Sequence, residues 1–230
     1  MRKIAVIISL LMVASCAKDR SNFTLKGNVK DLKKGTVYLQ KIEDTLLVSI
    51  DSMKINGNSQ FELHTYLDSP EVLYLKLDKQ DEQVELIPFF ADQGITEIQT
   101  TLKNFFIDAK ITGSKQQQKL EEYKAIMSRF QDKNLELIMS NLEAQKDQDS
   151  VRIDSVLKAQ DNLIIRRYLY TINFAINNND SEIAPYLALS EIPDANIKYL
   201  DTINNALTPP IQSSKYGKEL QKLIDQRKKE

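Results

Sequence analysis

From Phe23 onward the chain alternates apolar and polar positions with period two. Phe23, Leu25, Gly27 and Val29 share one phase, and the same behaviour returns over Thr36–Ile42, Leu46–Ile55, Phe61–Tyr66 and Val72–Leu77. Successive side chains of a strand point to opposite faces, so this alternation predicts β-strands with one buried face. Val84–Phe90, Ile95–Leu102 and Phe105–Ile111 add about three more, giving roughly seven or eight strands, enough for an antiparallel sandwich-like domain. Gly27, Gly35, Gly57, Gly94 and Gly113 fall in this region, four of them at strand ends or turns, and none belongs to a phosphate-cradling loop.

At Gly113-Ser114 the period changes. Residues 115–147 are rich in Gln, Lys, Glu and Leu, contain no Gly or Pro, and place Leu120, Tyr123, Met127, Phe130, Leu137 and Ile138 near helical spacing. A second helix is predicted from Asp149-Ser150, with Ile153, Leu157, Ile164, Tyr168 and Ile172 on one stripe, until Asn177-Asn178-Asn179 stops it. Three shorter helices are expected near Ser181–Glu191, Asp194–Leu207 and Ser213–Arg227. Strands first and helices second is the α+β arrangement, an antiparallel β domain over 23–113 followed by a helical region over 114–230.

The first residues follow neither period. Arg2-Lys3, an apolar run from Ile4 to Val13 and Ala14-Ser15-Cys16 reproduce the order of a bacterial lipoprotein signal. The run is shorter than the roughly 20 residues a membrane span requires, and Cys16 is the sole cysteine. The expectation is a signal peptide over 1–15, lipidation at Cys16 by acyl chains such as palmitate, and a polar tether over 16–22. The body would then be held at the membrane of the bacterial cell envelope, the outer membrane by preference. A secretory signal cleaved after Ala17 and a short transmembrane anchor are the weaker alternatives.

Composition narrows the function classes. The formal net charge of −1, with no basic block before the last few residues, argues against nucleic acid as a partner. An acylated Cys16 leaves no thiol for disulfide or redox chemistry. His64 falls in the phase of Glu62, facing away from the core that Phe61 and Leu63 build, and has no second ligand at motif spacing. The acidic stretch Asp78–Glu85 lacks the glycine and alternating oxygens of a calcium loop and reads as a solvated hairpin tip. Asn177–Asp180 reads as a helix stop followed by a cap. Tyr66, Tyr74, Phe89, Phe90, Phe105 and Phe106 are either core or the lining of a groove for peptide or glycan. The Phe89-Phe90 and Phe105-Phe106 doublets matter most, because one member of each must find cover outside a one-sided sheet. No catalytic, cofactor or metal residues are assigned.

Several short segments, taken in order, resemble a known family. They are Phe23–Gly27, Gly35–Leu39, Asp51-Ser52, Asn56-Gly57 with Phe61–Leu63, Phe90–Gly94 and Ile111–Ser114, extending more loosely to Tyr216–Leu220. The set is similar to the N-terminal domain of unknown function, with its helical linker, of thioredoxin-like (AhpC/TSA-type) thiol–disulfide oxidoreductase lipoproteins of Gram-negative bacteria. The turn between Asn56 and Phe61 is about two residues longer than the family's Asn-Gly-x-Phe, and the sequence has no Cys-x-x-Cys, so the thioredoxin domain is expected to be missing. Three functions follow as expectations. The first is a non-catalytic envelope lipoprotein serving as an interaction or ligand-binding module. The second is an accessory to a separate thioredoxin-like oxidoreductase. The third is a hydrolase with scattered carboxylates. Arg227-Lys228-Lys229 suit a helix C-terminus, and in the resembling proteins this helix is the joint to the redox domain. If this helix is a docking surface rather than a capped helix end, a chain ending at Leu207 is expected to stay folded yet lose an envelope partner.

Overall fold

The computed structural model describes residues 21–79 and 85–229. The signal over 1–15, the Cys16 lipidation site, the tether before residue 21 and the acidic tip at 80–84 lie outside the described residues.

Among the described residues, eight strands build two four-stranded sheets. They are β1 (Phe23–Lys30), β2 (Lys34–Glu43), β3 (Leu46–Asn56), β4 (Gln60–Thr65), β5 (Glu71–Asp78), β6 (Glu85–Ala91), β7 (Gly94–Thr101) and β8 (Lys110–Thr112). Sheet A runs β4-β1-β7-β8 and sheet B runs β3-β2-β5-β6. The alternating residues seen in the sequence face inward, with Leu25, Leu39, Leu63, Leu75, Phe89 and Ile98 all fully buried in one core between the sheets. Each such side chain contributes on the order of 1.5–3 kcal/mol relative to exposure.

Three details differ from the sequence expectation. The β1–β7 pairing, Phe23↔Gly94 to Lys30↔Thr101, is parallel, whereas every other described pairing is antiparallel. Periodicity reports which face is buried but not strand direction, and β7 enters sheet A by a crossing from β6 rather than by a hairpin. The residues from Asn56 to Gln60 likewise join β3 of sheet B to β4 of sheet A, so the longer turn is a crossing between sheets. It is held by Gly57 N–H to Lys33 O at 2.8 Å and Ser59 Oγ–H to Asn28 Oδ1 at 2.6 Å. Finally, the strand expected over Phe105–Ile111 is a turn followed by the short β8. Thr100 Oγ1 donates to Phe105 O at 2.6 Å and Thr101 Oγ1 to Asp108 Oδ2 at 2.7 Å. Thr and Asp thereby satisfy locally what a ladder would have satisfied, with Phe105 buried and Phe106 exposed.

The helices are α1 (Lys115–Lys146), α2 (Ser150–Asn177), α3 (Ile183–Glu191), α4 (Ile197–Ala206), α5 (Pro209–Gln212) and α6 (Lys215–Arg227). The residues around 113 form the joint between sheets and helices. Ser114 Oγ accepts from Gln117 N at 2.9 Å, while Asp92 Oδ2, from the β6–β7 turn, accepts from Lys115 N at 2.6 Å and Gln116 N at 3.2 Å. Three of α1's first amide donors are thus satisfied. Gln116 Oε1 accepts from Ser181 Oγ at 2.6 Å and Ile183 N at 3.1 Å, so α1 in turn caps α3. The cap expected from Asn177–Asp180 therefore comes from another helix, and Asp180 faces Lys119 instead, at 3.7 Å.

Sheet B is covered on its outer face too. Val72 and Phe90 point away from the sandwich into a second core with Leu120, Tyr123, Ile183 and Leu187, which is the cover the Phe89-Phe90 doublet required. A third core joins the end of α2 to α3, α4 and α6 through Ile172, Ala188, Leu200 and Leu220. Leu157 and Ile164, expected on the buried stripe of α2, are exposed. The antiparallel α1–α2 pair closes a narrower seam of buried Val156 and half-buried Leu163, Tyr170 and Phe174, with the Tyr123 ring 5.4 Å from that of Phe174.

Gly113 has φ 96°, and a Cβ placed there would lie 2.2 Å from Ile95 O. Gly57 has φ 92° with open space around it. Gly113→Ala should therefore cost about 3 kcal/mol or more in urea unfolding, against about 1 kcal/mol for Gly57→Ala, where only the backbone preference is lost.

Candidate functional site

Where the helical layer stops short of the rim of sheet B, an open cleft of about 820 Å³ remains. One wall is the end of β2 and its turn, Lys41 to Asp44; the floor is the start of β5, Glu71 to Tyr74; the other wall is Tyr186 of α3 with Lys215, Tyr216, Glu219 and Lys222 of α6. Sequence and packing explain the placement. On α6, Tyr216, Leu220 and Ile224 share one stripe and are buried, which turns Lys215, Glu219 and Lys222 toward the cleft. Gly217 is required beside them, because a Cβ there would meet Ile211 O at 2.0 Å. The Tyr-Gly of the resembling segment Tyr216–Leu220 thus serves the seating of α6.

The tyrosines are fixed rather than loose. Tyr216 Oη accepts from the backbone N–H of Val72 at 2.9 Å, and its ring meets Phe90 edge-on at 5.9 Å and Tyr186 at 5.3 Å. Burial is the main reason that the phenols of Tyr216, Tyr186 and Tyr74 are pushed above their ordinary value, so they remain neutral hydrogen-bonding groups. The charges come largely in pairs. Glu71, nearly buried, accepts from Lys215 Nζ, which also lies 5.7 Å from the Tyr216 ring centre. Lys41 lies 2.8 Å from Glu43, and that bond chiefly holds the ammonium above its ordinary value, with Glu71 and Asp68 adding to it. Glu219 stands at the mouth, its carboxyl raised by partial desolvation and by Glu71, and lowered by Lys215 and Lys222.

The residues singled out by sequence divide sharply. Tyr74 lines the cleft, Phe89, Phe90 and Phe105 are core, and Tyr66 and Phe106 are exposed elsewhere. His64 faces outward as expected, with Nδ1 3.1 Å from Thr24 Oγ1 and Nε2 3.7 Å from Glu62 Oε1. Among the described residues no group of three or more His, Cys, Asp or Glu could hold a metal ion, and none of the described helices is long and apolar enough to cross a membrane. Glu71, Lys215 and Tyr186 were invisible as a group because they come from three distant segments. The last helix is integral to the fold: besides its buried stripe, Arg227 donates to Pro193 O at 2.8 Å and Ala195 O at 2.6 Å. A chain ending at Leu207 would lose Leu220 and Ile224 from the helical core, which weighs against this helix being a detachable docking surface.

Behind the cleft, Glu182 at the start of α3 is buried and accepts from Ser214 Oγ at 2.7 Å. Burial pushes its carboxyl up to about 6, with the Ser214 bond opposing.

Residues 23–120 match the model of a family described as a domain of unknown function, DUF4369. The match takes in all eight strands and the first turn and a half of α1, the joint included. No curated protein matches the chain. A solved structure titled pT26-6p aligns at a TM-score of 0.24 and 14% identity, over 84% of this chain and 42% of its own; at that level the likeness bears on neither fold nor function. The chain thus spans less than half the length of that protein.

Glu182 gives the site a testable pH dependence. Its folded value of about 6 lies above the reference value of 4.5, so between those pH values the native state holds the proton more tightly than the unfolded chain. Stability from this group is therefore lost as pH rises from about 4.5 through 6 and is level above. Glu182→Gln should leave stability unchanged near pH 4 and raise it by about 1–2 kcal/mol at pH 8, read by urea unfolding at the two pH values.

Proposed function

We propose that this protein is a recognition module of the bacterial envelope that binds a polypeptide segment in the cleft between sheet B and α6. The observation that carries this reading is the character of the cleft wall: three ordered tyrosines beside lysine–carboxylate pairs. Tyrosine offers a large apolar face with a polar tip at low entropic cost, which suits contact with another chain. Carboxylates already engaged by Lys215 and Lys41 are better placed to orient a partner than to attack one. The β2–β3 hairpin supports the same conclusion, since its tip exposes Ile42, Leu46 and Leu47 next to the cleft, apolar surface of the kind that marks contact sites.

The envelope location rests on the Cys16 signal. One acyl chain binds a membrane only marginally, whereas the several chains of a bacterial lipid anchor attach it durably. The resemblance to domains fused to thioredoxin-like oxidoreductases makes such an enzyme, separately encoded, one partner to try first.

Binding is tested on the purified protein with peptide and glycan arrays, followed by titration of the best peptide. Tyr74→Ala together with Lys222→Glu should weaken that peptide at least tenfold, while exchange at the surface residue His64 leaves it unchanged. Binding of glycans alone, or a peptide affinity indifferent to the cleft substitutions, would sink the assignment. For the anchor, Cys16→Ala should abolish incorporation of labelled fatty acid in cells; label retained by that variant would refute it.

A further inference from the structure

The hairpin of α1 and α2 outgrows the body it stands on. Residues 131–167 take no part in any of the three cores, and in this stretch only Ala144 and Val156 are buried. At 1.5 Å per residue the free part rises roughly 25 Å. It turns over at Gln148, φ 57°, between the C-cap Asp147 and the N-cap Asp149.

A pair of helices needs apolar residues only at the two seam positions, a and d, of each heptad. With Leu137 and Ala144 counted as d on α1, Ile138 falls at e and Leu135 and Leu142 at b. With Val156 and Leu163 counted as d on α2, Leu157 and Ile164 both fall at e. In an antiparallel pair the e positions of the two helices flank the seam on the same side. These five residues therefore form one continuous apolar face, and it is open: Leu135 is 59% exposed, Leu142 60% and Ile164 52%. The other side of the seam is polar, with Arg152 donating to Ser140 Oγ at 3.1 Å and Glu143 Oε2 at 2.7 Å. Apolar a, d and e positions are the pattern of helices that pack in a bundle of more than two.

We infer that two copies of this chain associate through these faces, closing a four-helix bundle. The arrangement is self-complementary. A two-fold axis crossing the hairpin near Ile138 exchanges Leu135 with Leu142, brings Met139 against its counterpart, and sets Lys146 at the tip of one copy against Asp132 at the root of the other. The five residues with Met139 and Ile165 at the rim expose on the order of 600 Å², which with polar flanks reaches the roughly 800 Å² per partner of a stable interface. Asp132, Asp154 and Asp161 border the face together with Lys146 and Lys158, a mixed border without the cationic excess that an anionic lipid surface would attract. The bundle would hold two clefts on one assembly, so a ligand carrying two copies of the recognised segment gains avidity.

The test is sedimentation of the full chain in density-matched mild detergent. The wild type should be a dimer at 10 µM, and Leu135→Gln/Leu142→Gln/Ile164→Gln should raise the dissociation constant at least 100-fold with helical ellipticity unchanged. Should that variant misfold, Lys146→Asp alone should weaken the dimer about tenfold and Lys146→Asp/Asp132→Lys restore it. A wild type monomeric at 100 µM, a dimer unaffected by these changes, or a monomer that binds phosphatidylethanolamine–phosphatidylglycerol vesicles through this face would overturn the inference.

Discussion

The structure depends on sheet B being buried on both sides. A sandwich strand needs only one apolar phase, yet β5 and β6 carry two. Leu73, Leu75, Ile87 and Phe89 face sheet A, while Val72 and Phe90 face the helices. Their backbones are drawn into the same contact: Phe90 N–H donates to Gln117 Oε1 at 2.8 Å and Val72 N–H to Tyr216 Oη at 2.9 Å. One bond reaches α1 and the other α6, so the beginning and the end of the helical region are fixed to neighbouring strands. Burial of Phe90 and the two polar bonds act together, because a buried donor left unmade costs about 1–3 kcal/mol.

The cleft follows from this clamp. The helices cover the strand ends carrying Val72 and Phe90 but leave the rim near Lys41 and Glu71 open, and the aromatic residues that close the contact on one side become the cleft wall on the other. Tyr216 belongs to both, being core to Phe90 and lining to the cleft. Folding and the proposed recognition surface therefore share residues. Ion pairing of Glu71 with Lys215 spans the same boundary between β5 and α6, so a segment bound there as proposed would meet the contact that seats the last helix.

Much of the fold was legible because one-sided burial writes itself as period two and a helix as period 3.6. The break at Gly113-Ser114 falls between β8 and α1, and the doublet Phe89-Phe90 announced a second covering layer without saying which element supplies it. Strand direction left no trace, so the parallel β1–β7 pair could not be read. Thr100, Thr101 and Asp108 overrode the strand pattern of Phe105–Ile111 through local bonds that only three dimensions display. The stripe of α2 misled for a different reason: Leu157 and Ile164 are apolar, but a single hairpin has no partner surface for them. The cleft was the least legible feature, since Glu71, Tyr186 and Lys215 come together only through folding; Tyr74, on an aromatic-bearing strand, and Tyr216, in a segment shared with the resembling family, were its only foretaste.

Native-state hydrogen exchange reads whether sandwich and helices form one cooperative structure through the outer face of sheet B. The slowest amides of Leu75 in the sandwich and Leu187 in α3 should report the same opening free energy, and Phe90→Ala should lower both together by about 3–5 kcal/mol. Opening energies that differ widely between the two sites, or a Phe90→Ala effect confined to one of them, would mean that sandwich and helices unfold as separate units.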